Sequence, residues 1–316
     1  MTHVLVTGAA GFIGARLVEV LSQRGYRVTG VDCFLPDLYS AEMKKQRFSE
    51  LENLSNVSLI EADLRHDDLS CLGRPEIVVN EAAMPGLTKS WEDLQLYMDN
   101  NVIALDRVIR ATAGKTLHKF IQISTSSVYG KTADGTEEAP TNPYSPYGVS
   151  KLAAEKLGFA HRDNFGLPFT VLRYFSVYGP GHRPDMAYHR FLAAARDGTP
   201  VTVYGDGDQR RTNTYVDDCV DGTILAIEKA EIGEIYNLSG TESFSLNDSL
   251  ALIEEISGRS LDIHFEPARA GDQRETRGAI KKAQSALNYS PAWSLRDGLR
   301  AEWDWIKDLP RDFQRS

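Results

Sequence analysis

Residues 3–14 read His-Val-Leu-Val-Thr-Gly-Ala-Ala-Gly-Phe-Ile-Gly. The run His3–Thr7 reads as a buried strand, and it opens directly into a turn carrying Gly8, Gly11 and Gly14. From Phe12 to Arg24 apolar residues recur near helical spacing. A glycine-rich turn between a first strand and a first helix is where a dinucleotide-binding fold places its pyrophosphate. The glycines allow the tight bend and a close backbone approach, and the helix N-terminus offers free N–H groups. Gly8, Gly11, Phe12, Ile13 and Gly14 are therefore candidate cofactor contacts. A glycine turn alone is weak evidence; its position between these two elements selects the phosphate-binding reading.

The pattern continues outward. Tyr26–Val31, Val57–Ile60, Glu76–Val79, Phe120–Ser124 and Phe169–Leu172 read as further strands. Helical stretches at Trp91–Ala113 and Tyr147–Phe165 separate the later ones, and Tyr39–Leu54, with Lys44, Lys45 and Arg47, is long enough for a helix of its own. This alternation predicts an α/β protein with a doubly wound parallel sheet. Past residue 175 glycine and proline become dense. A helix at Met186–Arg196, strands at Val201–Tyr204 and Asn213–Val216, and a C-terminal helix at Leu295–Ile306 predict a smaller α/β lobe. The expected division is 1–175 plus 212–235 for the dinucleotide-binding domain. The remainder, 176–211 plus 236–316, forms the smaller, substrate-binding domain.

The chain has 316 residues, with 35 Lys+Arg against 44 Asp+Glu, so 35 − 44 = −9. The acidic balance argues against nucleic acid and membrane surfaces as partners. Cys33, Cys71 and Cys219 are scattered without a CxxC or a His/Cys cluster, so no metal site is expected and reduced thiols are. Met1-Thr2-His3 enters the first strand at once, which leaves no room for a signal peptide. The expected location is the cytoplasm.

Two acidic residues sit at strand ends. Asp32 follows Gly14 by 18 residues, where a carboxylate accepts from both ribose hydroxyls and repels a 2′-phosphate, favouring NAD over NADP. Asp63 ends the third strand, a place for an adenine contact. Further on, Tyr147-Gly-Val-Ser-Lys151 puts a phenol and an ammonium on one helix face, an arrangement that lowers the phenol's pKa. Thr125, just past the fifth strand, can bridge a sugar hydroxyl and that phenol.

These motifs together resemble the extended short-chain dehydrogenase/reductase family, in its nucleotide-sugar epimerase/dehydratase branch. They are TGAAGFIG at 7–14, Asp32, Asp63-Leu64, NEAA at 80–83, Asn101, TSSVYG at 125–130, the Tyr147/Lys151 pair, RYFSVYGPGHRPDMA at 173–187, YGDGDQRRTNTYVDD at 204–218 and AGDQRET at 270–276. The resemblance spans nearly the whole chain. It implies a tightly held, recycled NAD, a Tyr147 base with Lys151 and Thr125 beside it, and a UDP-sugar in the C-terminal lobe. It also implies cofactor contacts at Ala82, Ala83, Asn101 and Tyr174, and a homodimer formed through the helices around 92–113 and 147–165.

The same resemblance narrows the branch. Dehydratases of this family place Asp-Glu directly after the Thr, and the related decarboxylases a Glu one residue further. Here Ser126 and Ser127 stand there, which disfavours elimination and leaves reversible oxidation at C4. The run through Arg183-Pro-Asp-Met186 is similar to UDP-glucuronate 4-epimerases, where Arg183 and Ser176 would surround the sugar carboxylate; a loop-closing salt bridge from Arg183 to Asp185 is the alternative. Tyr204 maps to the aromatic near the base, and Arg211 and Arg274 to diphosphate contacts. The expected activity is a 4-epimerase acting on UDP-glucuronate. A UDP-glucose or UDP-N-acetylglucosamine epimerase is the alternative, followed by a dehydratase or decarboxylase and a non-catalytic NAD-binding protein. The chain departs from the family pattern at Asn80-Glu81, at Ser176 and at Thr212-Asn213-Thr214. The motifs give no role to Glu81.

Overall fold

The computed structural model describes residues 1–36, 39–268 and 274–310. Seven parallel strands form the central sheet: β1 (His3–Thr7), β2 (Arg27–Asp32), β3 (Val57–Glu61), β4 (Ile77–Asn80), β5 (Lys119–Thr125), β6 (Phe169–Tyr174) and β7 (Ile235–Leu238). Their order across the sheet is β7-β6-β5-β4-β1-β2-β3. The order reverses between β1 and β4, and ligands of such sheets bind beyond the carboxyl ends of the strands at that point.

All five residues of β1 are buried, because helices cover both faces. Val4 and Val6 join one core with Leu17, Val18 and Leu21 of helix Phe12–Gln23, while Leu5 joins the opposite core with Val31, Val78 and Phe120. Arg16 of that helix pairs at 2.7 Å with Asp217 of helix Val216–Lys229, tying the two helices of this face together.

The stretch expected as one helix, Trp91–Ala113, is broken. It runs as a short helix Leu94–Met98, a π-turn Asp99–Ile103 and a helix Ala104–Thr112. The π-turn lets Asn101 point inward, where its amide grips Met84 by accepting from the backbone N at 2.6 Å and donating to O at 3.1 Å.

Beyond β6 the smaller lobe begins. Arg210–Thr212 pairs antiparallel with Ser243–Ser245 and parallel with Glu275–Gly278, which pairs in turn with Thr132–Gly135. A strand from between Thr125 and Tyr147 thus crosses into the small sheet. The large sheet, for its part, continues to Leu238, past the boundary expected at 235. Val201–Tyr204 pairs with Ile263–Glu266, and helix Leu295–Ile306 packs against helix Ala187–Asp197. Among the described residues no helix is long and apolar enough to cross a membrane.

Candidate active site

The carboxyl ends of the strands bring the predicted residues together. Thr125 closes β5, and its Oγ1 accepts from Ser127 N at 3.2 Å, which turns the chain into the 3₁₀ segment Ser126–Tyr129. Opposite it starts helix Pro146–Phe165. Ser145 caps that helix by accepting from Gly148 N at 3.1 Å, Pro146 stands in the first turn, and Gly166 ends it in the left-handed conformation. A Cβ on Gly148 would lie 2.8 Å from Ser127 O, so only glycine lets the first turn rest on the Thr125 segment. That contact was not singled out from sequence, although Gly148 lies inside the Tyr/Lys motif.

Tyr147 therefore hydrogen-bonds Thr125, and Lys151 follows one turn on, almost wholly buried. The sequence spacing predicts a lowered phenol. In the structure burial pushes the Tyr147 phenol up, while the Thr125 hydrogen bond and the Arg183 charge pull it down and Glu81 pushes it further up. Lys151 is itself brought down to about 8 by burial, against the raising effect of Glu81 and Glu155. Both groups have lost their water, which disfavours their charged forms, and at Tyr147 the Thr125 hydroxyl and the Arg183 charge work against that.

Behind this pair lies a buried support. Glu155, one turn after Lys151, accepts from Arg173 Nε at 3.0 Å and Nη2 at 2.7 Å and from Ser124 Oγ. Asn101 donates to Ser150 Oγ at 2.9 Å, and Ser150 donates to Tyr147 O at 2.8 Å. Asn101, expected to touch the cofactor, thus spends both amide hydrogens on Met84 and Ser150 and steadies the Tyr147 turn.

The glycine turn is closely packed. Gly8 has φ +73°, and a Cβ there would come 2.9 Å from Ala82 N; one on Gly14 would lie 2.2 Å from Gly8 O. Ala82 N donates to Thr7 Oγ1 at 3.1 Å, and Ala83 beside it is half-buried. Asp32 caps the turn, accepting from Ala10 N at 3.0 Å and Phe34 N at 2.8 Å. Phe12 packs on His182 and Ile13 on the first core. Asp63 lies two residues beyond β3 rather than at its end. Arg65 holds its carboxylate below the usual range and binds both oxygens. Leu64 is buried in the second core. Tyr174 is buried with its hydroxyl 2.6 Å from Thr223 Oγ1, which directs it under helix Val216–Lys229.

Ser176, Tyr204, Arg211 and Arg274 line one cavity of about 410 Å³, together with Lys131 and Phe244, which carried no sequence signal. Ser176 holds φ +31°, an uncommon conformation for a non-glycine residue. Arg274 pairs with Asp206 at 2.9 Å. Arg183 is clamped by Asp185, Nε to Oδ1 and Nη2 to Oδ2 both at 2.9 Å, which is the alternative foreseen for it. Its charge nevertheless reaches Tyr147. Residues 270–273 of the AGDQRET motif lie outside the described residues.

This geometry matches known proteins. The sequence profile of the NAD dependent epimerase/dehydratase family matches residues 4–239. The chain belongs to that family. It is 40% identical over 315 residues to an uncharacterised UDP-glucose epimerase, YtcB, of Bacillus subtilis, covering 97% of this chain and 98% of the relative. It is 33% identical to the UDP-glucuronate 4-epimerase of Thermodesulfobacterium geofontis, covering 98% and 97%. The crystal structure of UDP-glucuronic acid 4-epimerase from Bacillus cereus, in complex with UDP-glucuronic acid and NAD, superposes with a TM-score of 0.94 at 42% identity, covering 98% of this chain and 100% of that one.

The residues present fit the family's cofactor. A Cβ on Gly8 or Gly14 would strike the backbone of Ala82 or of Gly8, so glycine keeps this turn tight, and the Asp32 carboxylate stands beside it at the end of β2. The chain is an NAD-dependent enzyme of this family.

Proposed function

We propose that this protein interconverts UDP-glucuronate and UDP-galacturonate by transient oxidation at sugar C4. The observation that carries the substrate choice is Arg183. The Asp185 clamp uses its Nε and Nη2 and leaves Nη1 for a ligand oxygen, and its charge is felt at Tyr147. A C5 carboxylate, one carbon from the reacting C4, suits such a guanidinium.

The Tyr147 oxygen takes the proton of the C4 hydroxyl, Thr125 hydrogen-bonds the reacting oxygen, and Lys151 supports the phenolate. NAD, when bound, supplies a reversible hydride acceptor and a cationic ring that favours the phenolate. Gly8, Gly11 and Gly14 receive its pyrophosphate and Asp32 its ribose. Arg211 and Arg274, around the 410 Å³ cavity, hold the UDP diphosphate. Ser126 and Ser127 offer no carboxyl acid at the Thr125 turn, so elimination has no proton donor there. The 4-keto uronate is a β-keto acid, and Arg183 with Ser176 fixes its carboxylate against loss of CO2.

Purified protein incubated with UDP-glucuronate, and separately with UDP-glucose, is read by proton NMR of the sugar region. The proposal expects UDP-galacturonate, and in Arg183→Ala a selective loss of turnover with the acidic sugar. Equal loss with both sugars overturns it. The neutral-sugar reading is favoured by the Asp185 clamp, which already neutralises part of Arg183; epimerisation of UDP-glucose alone would establish it.

We further propose a cytoplasmic homodimer. Leu94, Ile103, Val149 and Phe165 are exposed on the packed helices named for it, and Cys33, Cys71 and Cys219 are free thiols. Sedimentation of wild type and Val149→Asp tests it: a monomeric wild type removes the dimer, and dissociation by the variant places the interface.

A further inference from the structure

Glu81 follows Asn80, the last residue of β4, at the reversal point of the sheet. Its peptide is packed on the glycine turn, since a Cβ on Gly8 would lie 3.2 Å from Glu81 C. The residue is half-buried, and its Oε2 is sealed from solvent with no hydrogen-bond partner among the described residues. No ion pair within 4.0 Å joins it to Lys151 among the described residues. A carboxyl stripped of water without a partner destabilises the fold, so a purely structural role does not explain it.

The groups around it show which end of the site it serves. Lys151 acts on Glu81 from helix Pro146–Phe165, and Glu81 acts on Tyr147 of the same helix, on Tyr174 at the end of β6 and on Cys219 of helix Val216–Lys229. Tyr147 and Lys151 mark the reacting end, where hydride leaves the sugar. Yet no step of the proton path uses Glu81. Burial raises its carboxyl to about 8, so the carboxylate is its main form only above that pH.

In the reaction the sugar C4–H bond breaks, and its two electrons go with the hydride to the nicotinamide ring. The alcohol becomes a ketone, and the hydroxyl proton goes to the Tyr147 oxygen. The ring's positive charge disappears, whereas the charge of Lys151 does not. A nearby carboxylate therefore favours the oxidised ring over the reduced one. We propose that Glu81 sets the redox balance of the bound cofactor, holding it toward the oxidised form so that hydride returns quickly to the keto sugar. Glu81 acts through the cofactor and is a positioning residue. The inference needs the NAD dependence of the family and not the identity of the sugar.

The test is the ratio of dissociation constants for NADH and NAD+, each titrated against the full-length chain freed of cofactor on the alkaline side of pH 8, where the Glu81 carboxylate is the main form. By linkage this ratio reports the redox balance. One unit charge removed at this range shifts it by about tenfold. Glu81→Gln is expected to lower the NADH/NAD+ ratio of dissociation constants by about that factor, and Glu81→Asp, which keeps the charge, to leave it near the wild-type value. An unchanged ratio in Glu81→Gln overturns the proposal. So does an equal shift in Glu81→Gln and Glu81→Asp, which would mean that packing, not charge, is at work. The absence of sugar from the titration keeps this outcome separate from the choice between UDP-glucuronate and UDP-glucose.

Discussion

Glu302, in the last helix of the chain, holds His182 of the loop that carries Arg183, Oε1 to Nδ1 at 3.0 Å, and its other oxygen accepts from Gly179 N at 3.1 Å. Burial raises its carboxyl, with His182 opposing. The C-terminal helix thus fixes the loop that carries Arg183. Glu302→Ala leaves two buried donors without a partner and should cost about 1–3 kcal/mol for each. Calorimetry should show a lower Tm, and KM for the acidic sugar should rise because Arg183 loses its support. An unchanged KM with a lowered Tm would confine Glu302 to stability.

Tyr147→Phe removes the hydroxyl that faces Thr125 from the Tyr/Lys helix. Turnover should fall by about 10²–10⁴-fold, the range for a positioned acid–base group. NAD affinity, measured by titration, should change little, because the glycine turn and Asp32 are untouched. A near-normal rate would remove Tyr147 from the mechanism.

The Glu155–Arg173 pair is almost completely buried. Glu155→Ala strands the guanidinium and also frees Ser124 Oγ, and it should destabilise the fold by about 3–5 kcal/mol. Chemical denaturation checks this. Glu155→Ala combined with Arg173→Met should recover much of the loss, since neither partner then leaves a stranded charge at this position.

The pH dependence follows from Lys151, brought down to about 8 with Glu81 from the end of β4 and Glu155 from its own helix opposing the fall. It keeps its charge below that pH and loses it above, so kcat/KM should decline on the alkaline side. Glu81→Gln removes one of the two raising charges, so the alkaline limb should move to lower pH. Movement in the other direction would contradict the sign of that interaction.

Much of the site was legible because its parts are local. The strand–turn–helix at His3–Gln23 follows from an apolar run, three glycines and an amphipathic stretch, all read within one window of sequence. Tyr147 and Lys151 share a helix face by spacing alone. The break at Asp99–Ile103 was not legible, because it depends on Asn101 finding Met84, 17 residues away, across the turn. The crossing of Thr132–Gly135 into the small sheet likewise depends on a partner strand at Glu275–Gly278.

The sequence by itself determined the parallel sheet, the glycine-rich turn after its first strand and the helix face shared by Tyr147 and Lys151, since each rests on periodicity or on glycines at fixed offsets. Tertiary structure alone decided which charges face one another. Glu302 meets His182 across 120 residues, Glu155 meets Arg173 across 18, and Glu81 Oε2 is sealed without a partner among the described residues. The physical reason is that pKa values and ion pairs depend on distances of a few ångströms and on excluded water. Both are fixed by packing between elements distant in the chain.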